Sequence, residues 1–399
     1  MRLTFVIASL AGGGAERVAA YMANHWAERG RTIHIVTICH GIRPPAYPLD
    51  PRVTHLDLNF YRRSPWLSPE DYPASLITEF IAACSEDEQA ILRSEFHLIA
   101  ALQRSILCTE PEVVISFMDV NNIRTLAATH KLGLPVIVSE HSDPHLNGFT
   151  EARELLRRRL YPEACYVVAL TEEVARFLSP IAGKRGRVIP NAVLPGLPHS
   201  ENKESEPGRL LMGMGRLSSE KGFALLLEAF AMISETHTDW SLEIWGEGPL
   251  RNELEQLTNK LGLNGRARLP GFTDRPFETL RRADLFAVSS LCEGWCNVLA
   301  EAMANGLAVV SFDCPSGPRN IIRNNVDGLL VPAQDVAAMA AALNGLMGNA
   351  AERRRLARRA PEVAERFSLE RIMQLWNELV VTAPLEAREA LNVSCGAEK

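Results

Sequence analysis

Short apolar runs rich in β-branched residues recur along the chain, separated by stretches with helical spacing. "LTFVIAS" leads into "GAERVAAYMANHWAERG", and "TIHIVTI", "EVVISF", "VNNIRTLAATHKLG", "PVIVSE" and "YVVAL" follow. The apolar runs lack the polar–apolar alternation of a half-exposed strand, so they predict strands buried on both faces of a parallel sheet. Strands alternating with helices predict an α/β doubly wound layer. Residues 188–208, "VIPNAVLPGLPHSENKESEPG", break the pattern and read as a linker rich in Pro, Ser and Glu. The alternation then restarts with "RLLMGMG", "GFALLLEAFAMISE", "SLEIWG", "LRNELEQLTNKLG", "ARLPG", "DLFAVSS", "VLAEAMANG", "AVVSF" and "GLLV". Two α/β units of similar size result, and a cleft between such halves is the default ligand site.

Residues 60–92 fit this scheme poorly. Their aromatics, prolines and acids read either as an acceptor loop or as a helical excursion. The last stretch, 383–399, has no apolar period and reads as a disordered tail.

A length of 399 residues suits two or three domains, and 47% apolar with 23% charged residues is ordinary for a soluble globular chain. The net charge of −6 argues against a nucleic-acid partner. None of the eight cysteines forms a CxxC pair or a cluster with zinc spacing. Most sit in apolar segments, including Cys292 and Cys296, and read as small core residues of a protein in a reducing cytosol. The apolar start "MRLTFVIAS" runs straight into glycines, which suits a first strand and its loop better than a signal peptide. No stretch approaches the ~20 apolar residues of a membrane-spanning helix, so any membrane contact is expected to be peripheral.

Four loops carry the candidate chemistry. "LAGGGAERV" follows the first strand, and its Gly12, Gly13 and Gly14 let backbone amides approach an anion at a helix start. A dinucleotide site would want a third glycine where Arg17 stands and an acid at the end of the second strand, which "TICHG" lacks. "GMGRLSSEKGF" repeats the design in the second half. Gly213 and Gly215 end a strand, and Arg216 and Lys221 offer two cations beside helix amides, which suits a diphosphate.

"CEGWCNVLAEAMANG" places Glu293 on a loop and Glu301 one turn into a short helix, with Asn297 as N-cap and Gly306 just past its end. Amides of the segment Gly294, Asn297 and Val298 can hold phosphate. Glu301 can then accept hydrogen bonds from a vicinal diol such as ribose, and Glu293 can reach hydroxyls beyond the phosphates. The two carboxylates together suit a nucleoside diphosphate sugar. Transfer from such a donor builds negative charge on the leaving diphosphate. The chain has no D-x-D to hold a metal there, so Arg216, Lys221 and the helix amides are expected to neutralise it, with no metal or cofactor.

"VIVSEHSDPH" ends a first-half strand with Glu140, His141 and Asp143, and His141 is a candidate to bond a sugar hydroxyl. "CPSGPRNII" and "WGEGPLRNEL" are further strand-to-helix loops, the latter placing Glu247 and Gly248 near a base.

Taken together, GGGAER after strand one, G-x-G-R-L-x-x-x-K-G, the E-G motif with its second glutamate eight positions on, and S-G-P-R-N-I-I resemble glycosyltransferase family 4. The resemblance covers about residues 1–380 and is densest from 210 to 332. It implies the GT-B architecture, two Rossmann-like doubly wound domains facing a central cleft, and transfer with retention of anomeric configuration. It implies an acceptor-binding domain at 1–190, a donor-binding domain at 191–367, and a helix at 368–382 crossing back to the first domain. By the same resemblance Arg216 and Lys221 bind the donor diphosphate, Glu301 the ribose and Glu293 the donor sugar. His141 takes the place of the first-domain histidine, and Gly13 and Gly14 approach the donor phosphate or the acceptor.

The expected function is transfer from a UDP-sugar to a glycan or polyprenyl-diphosphate-linked acceptor, in the cytoplasm or on the inner membrane face. Arg153, Arg157, Arg158 and Arg159 are candidates to meet an acceptor diphosphate or anionic lipid, or to form a solvated helix face. Two alternatives stay open at this point: a UDP-sugar epimerase of the same architecture, and a non-catalytic sugar-nucleotide-binding subunit.

Overall fold

The computed structural model describes all residues except 42–43, 60–74, 143–148, 197–208 and 397–399, and for 388–396 it describes the backbone alone. Residues 60–74 of the acceptor-loop candidate, 197–208 of the expected linker, and Asp143 therefore lie outside the described residues.

The chain divides into two compact units, Met1–Ile189 with Met373–Lys399, and Pro190–Ile372. The first holds β1 (Arg2–Ile7), α1 (Gly14–Glu28), β2 (Thr32–Thr37), β3 (Thr54–Asp57), α2 (Ser75–Ala82) and α3 (Glu86–Cys108). It continues with β4 (Val113–Phe117), α4 (Asp119–Thr129), β5 (Val136–Glu140), α5 (Glu151–Leu160), β6 (Tyr166–Ala169), α6 (Glu172–Ala182) and β7 (Gly186–Val188). Its strands form one parallel sheet in the order β3-β2-β1-β4-β5-β6-β7. Every residue of β4, β5 and β6 is buried, which is why those runs carry no polar alternation. Phe5 at the centre packs edge-on against Trp26 and Phe117. Edge strand β3 is only half-buried and β7 has three residues, so neither stands out as an apolar run.

The second unit holds β8 (Arg209–Met214), α7 (Phe223–Ile233), β9 (Trp240–Trp245), α8 (Arg251–Lys260), β10 (Ala267–Gly271), α9 (Pro276–Leu280) and β11 (Leu285–Val288). It continues with α10 (Asn297–Ala304), β12 (Ala308–Asp313), α11 (Pro318–Ile321), β13 (Leu329–Pro332), α12 (Val336–Gly348), α13 (Ala350–Arg359) and α14 (Glu362–Arg366). Its sheet is also parallel, in the order β10-β9-β8-β11-β12-β13. Leu211, Leu242, Ile244, Leu285, Val310 and Phe312 form its core with Phe230 and Trp240.

The last helix, α15 (Leu369–Gly396), belongs to the first unit from Met373 on. Trp26 Nε1 donates to Asn377 Oδ1 at 2.8 Å, and Tyr166 and Thr382 share a hydroxyl–hydroxyl bond of 2.8 Å. The expected disordered tail is corrected here: residues 383–396 continue this helix. "LEAREAL" is made of strong helix formers, and helix propensity does not require an apolar stripe. Residues 190–196 are also corrected from linker to packed segment, with Asn191 and Val193 buried. Among the described residues no helix is long and apolar enough to cross a membrane.

Candidate active site

In the second sheet the chain runs outward from β8 through β9 to β10 on one side, and from β11 through β12 to β13 on the other. The loops after β8 and β11 therefore flank the point where strand order reverses, which is where α/β sheets bind ligands. These are the two loops that carry Arg216, Lys221 and Glu293.

The fold joins them closely. Leu291 N donates to Glu220 O at 2.8 Å, and Ser289 Oγ donates to Lys221 O at 3.0 Å. Gly222 sits at φ +59, and a Cβ there would lie 2.2 Å from Ser289 O, so only glycine allows the loops to meet. The result is an ion pair: Lys221 Nζ lies 2.7 Å from Glu293 Oε1. Ser290 Oγ donates to the same oxygen at 2.7 Å. Burial opposes the charge on Lys221, but the Glu293 carboxylate outweighs it and lifts the ammonium above the usual lysine range. Lys221 is therefore a fixed cation at neutral pH. Arg216, five residues earlier, is exposed.

The start of α10 differs from the sequence expectation. Cys296, not Asn297, is the N-cap, in the left-handed region at φ 65. Asn297 is the first helical residue, and Asn191 Nδ2 donates to its Oδ1 at 3.0 Å. Gly294 is buried and Val298 half-buried in the same segment. Glu301 is 7% exposed, one turn into the helix. Gly306 ends the helix at φ +71.

The loop after β12 closes on this segment. Ser316 Oγ donates to Gly294 O at 3.4 Å, and a Cβ on Gly317 would meet Glu293 Cβ at 2.9 Å. Burial raises the Cys296 thiol well above its ordinary value and pushes Cys314 up to about 12. Both stay neutral and act as packing around Glu293.

The loop after β9 is drawn onto the loop after β8. Gly215 N donates to Trp245 O at 2.9 Å, and a Cβ on Gly246 would lie 1.8 Å from Gly215 O. Glu247 is exposed, but Arg251 holds both its oxygens at 2.8 Å.

The remaining candidates lie in the first unit. Gly13 is the N-cap of α1 and Gly14 its first residue. Glu16 folds over this turn: its Oε2 lies 2.3 Å from where a Gly13 Cβ would sit. An external anion would have to displace that carboxylate.

His141 follows β5. Its Nε2 shares a 3.1 Å bond with Ser139 Oγ, and its Nδ1 is buried without a partner among the described residues. Burial drops its pKa to about 4, so the imidazole is neutral at physiological pH. Beside it Glu140 is 1% exposed and accepts a hydrogen bond from the Tyr161 hydroxyl. Burial, with the nearby Asp119 charge, raises Glu140 to about 7.

The four arginines of α5 all have carboxylate partners. Arg157 is buried and pairs with Glu154. Arg153 pairs with Glu95 at 3.2 Å, Arg158 with Glu154 at 3.1 Å and Arg159 with Glu88 at 2.9 Å. Two of the four pair with acids on α3 and two with Glu154 on α5 itself, while the Arg158 and Arg159 side chains stay exposed, as on a solvated helix face.

Sequence reasoning named Lys221 and Glu293 but gave them separate tasks and missed their pairing. It also missed Ser290 and Asn191. The serine pair that ends "DLFAVSS" was a usable signal; Asn191, inside an apparent linker, gave none.

Residues 12–195 match the glycosyltransferase family 4 profile, and residues 198–363 match the profile of glycosyl transferases group 1. An exopolysaccharide phosphotransferase of Streptomyces coelicolor is 30% identical over 92% of this chain, and the match spans 39% of that longer protein. A Campylobacter jejuni enzyme is 27% identical over 95% of this chain and 98% of its own length. Its name is GalNAc-alpha-(1->4)-GalNAc-alpha-(1->3)-diNAcBac-PP-undecaprenol alpha-1,4-N-acetyl-D-galactosaminyltransferase. Among solved structures, HepE of Anabaena, determined with UDP and glucose, superposes with a TM-score of 0.75 at 18% identity, covering 96% of this chain and 100% of that one. TarM of S. aureus superposes with a TM-score of 0.76 at 14% identity, covering 95% and 98%.

Proposed function

Starting from a chain that belongs to glycosyltransferase family 4 and is a glycosyltransferase of the GT-B fold, we propose that it transfers a sugar from a UDP-sugar, with retention, to a glycan or polyprenyl-diphosphate-linked glycan. Surface polysaccharide or glycoconjugate synthesis is the setting that the names of its relatives support. One observation carries the reading. Lys221, held charged 2.7 Å from Glu293, stands at the strand-order reversal between β8 and β11.

As the glycosidic bond breaks, negative charge grows on the leaving diphosphate. Lys221, the exposed Arg216 and the first amides of α10 are the cations and dipoles that meet it, without a metal ion. Glu293 keeps Oε1 on Lys221 and Ser290 and offers Oε2 to a donor-sugar hydroxyl. Glu301 accepts from the ribose diol. In the first unit, neutral His141 suits a hydrogen bond to a sugar hydroxyl without adding charge.

The test is incubation with UDP-sugars and a lipid-linked or oligosaccharide acceptor, following the nucleotide product and the anomeric signal by NMR. Free UDP and a retained anomer support the reading. UMP would mean that a sugar phosphate had been passed on, the chemistry in the name of the longer Streptomyces relative.

A further inference from the structure

We infer that Asn191 is a positioning residue for the donor site. It fixes the side-chain amide of Asn297 so that its N–H2 group faces the diphosphate. The inference rests on the proposed binding of that diphosphate at the start of α10.

Three observations carry it. The segment 190–196 is anchored onto the donor-site helix rather than hanging between units. Asn191 is 3% exposed and its Nδ2 donates to Asn297 Oδ1 at 3.0 Å. Gly196 lies so close to the other end of α10 that a Cβ there would sit 2.1 Å from Ala304 O. Val193 N donates to Phe367 O at 2.8 Å, and the Phe367 ring meets Trp295 edge-on at 4.9 Å. The backbone around Asn191 is therefore held at both ends of α10, and Trp295 beside Glu293 is held with it.

A side-chain amide on the first turn of a helix can present either its carbonyl or its N–H2 group. Next to a phosphate the carbonyl would repel and the N–H2 would donate. By occupying Oδ1, Asn191 selects the second arrangement. No partner for Asn297 Nδ2 appears among the described residues, so that donor is left for a ligand. Because Asn191 is buried, it acts through Asn297 rather than by touching the ligand itself.

The experiment is a double-mutant cycle read by calorimetry, with UDP or GDP as probe, whichever binds the wild type more tightly. Asn191→Ala is expected to raise the Kd about 3- to 10-fold, the worth of one neutral hydrogen bond, and to raise KM for the donor more than it lowers kcat. Asn297→Ala is expected to do the same, and the double variant to be no worse than Asn297→Ala alone. Thermal denaturation of each variant separates loss of fold from loss of position. If Asn191→Ala does not fold, Asn191→Ser keeps a polar group in the pocket but cannot reach Asn297. Unchanged Kd on removal of Asn191, or effects that multiply independently, would overturn the inference while leaving the donor site intact. If Asn297→Ala itself binds like wild type, its side-chain amide does not meet the diphosphate and the inference falls, whether or not the backbone amides of α10 hold the ligand.

Discussion

Lys221→Ala tests the ion pair and the diphosphate clamp in one variant. It removes the ammonium 2.7 Å from Glu293 Oε1 and leaves a carboxylate that is 9% exposed with the Ser290 hydroxyl as its remaining side-chain donor among the described residues. Breaking a fully buried pair costs ~3–5 kcal/mol. The Lys221 side chain is 23% exposed, so water screens part of that, and we expect ~1–3 kcal/mol. In a domain of this size each kcal/mol moves Tm by about 2–4 °C, which places the drop at about 2–12 °C. Adding Glu293→Gln removes the stranded charge, and most of the lost stability should return. Activity should not return: a lost charge-stabilising group is worth ~3–4 kcal/mol, or a fall in kcat of about 100-fold or more, in both the single and the double variant. Calorimetric melting beside a UDP-release assay reads both quantities. A Lys221→Ala protein with unchanged Tm would refute the pairing, and activity within about threefold of wild type would refute the clamp.

Glu301→Gln should weaken UDP and UDP-sugar alike, by about 10- to 150-fold for a lost charged hydrogen bond, whereas Glu293→Gln should weaken UDP-sugar more than UDP; equal losses would remove Glu293 from the sugar. Activity should persist in excess EDTA, and an absolute need for a divalent cation would overturn the reliance on side-chain cations. Glu140 is raised from 4.5 to about 7 in the fold, so the folded state holds the extra proton, and its contribution to stability declines as pH rises from 4.5 through 7. At ~1.4 kcal/mol per unit, wild type should lose up to ~3 kcal/mol over that range relative to Glu140→Gln, and parallel stability curves for the two would contradict the shift.

The two sheets were legible because parallel strands buried on both faces leave unbroken apolar runs, as in β4, β5 and β11. Half-buried β3 left no such run. The glycine loops were legible as well, since Gly222 and Gly246 stand where backbones touch. What stayed hidden was partnership. Lys221 and Glu293 are 72 residues apart, and only the adjacency of β8 and β11 brings them together. The pairing of Arg153 and Arg159 on α5 was hidden because their partners, Glu95 and Glu88 on α3, are distant in sequence. Cap preference pointed to Asn297, but Cys296 takes the left-handed position and leaves Asn297 to pair with Asn191.

The most direct measurement is a crystal structure of the protein with UDP bound. The β-phosphate is expected in contact with Lys221 and the first amides of α10, with the ribose diol on Glu301. UDP lying elsewhere, with the Lys221–Glu293 pair untouched and the start of α10 empty, would contradict it.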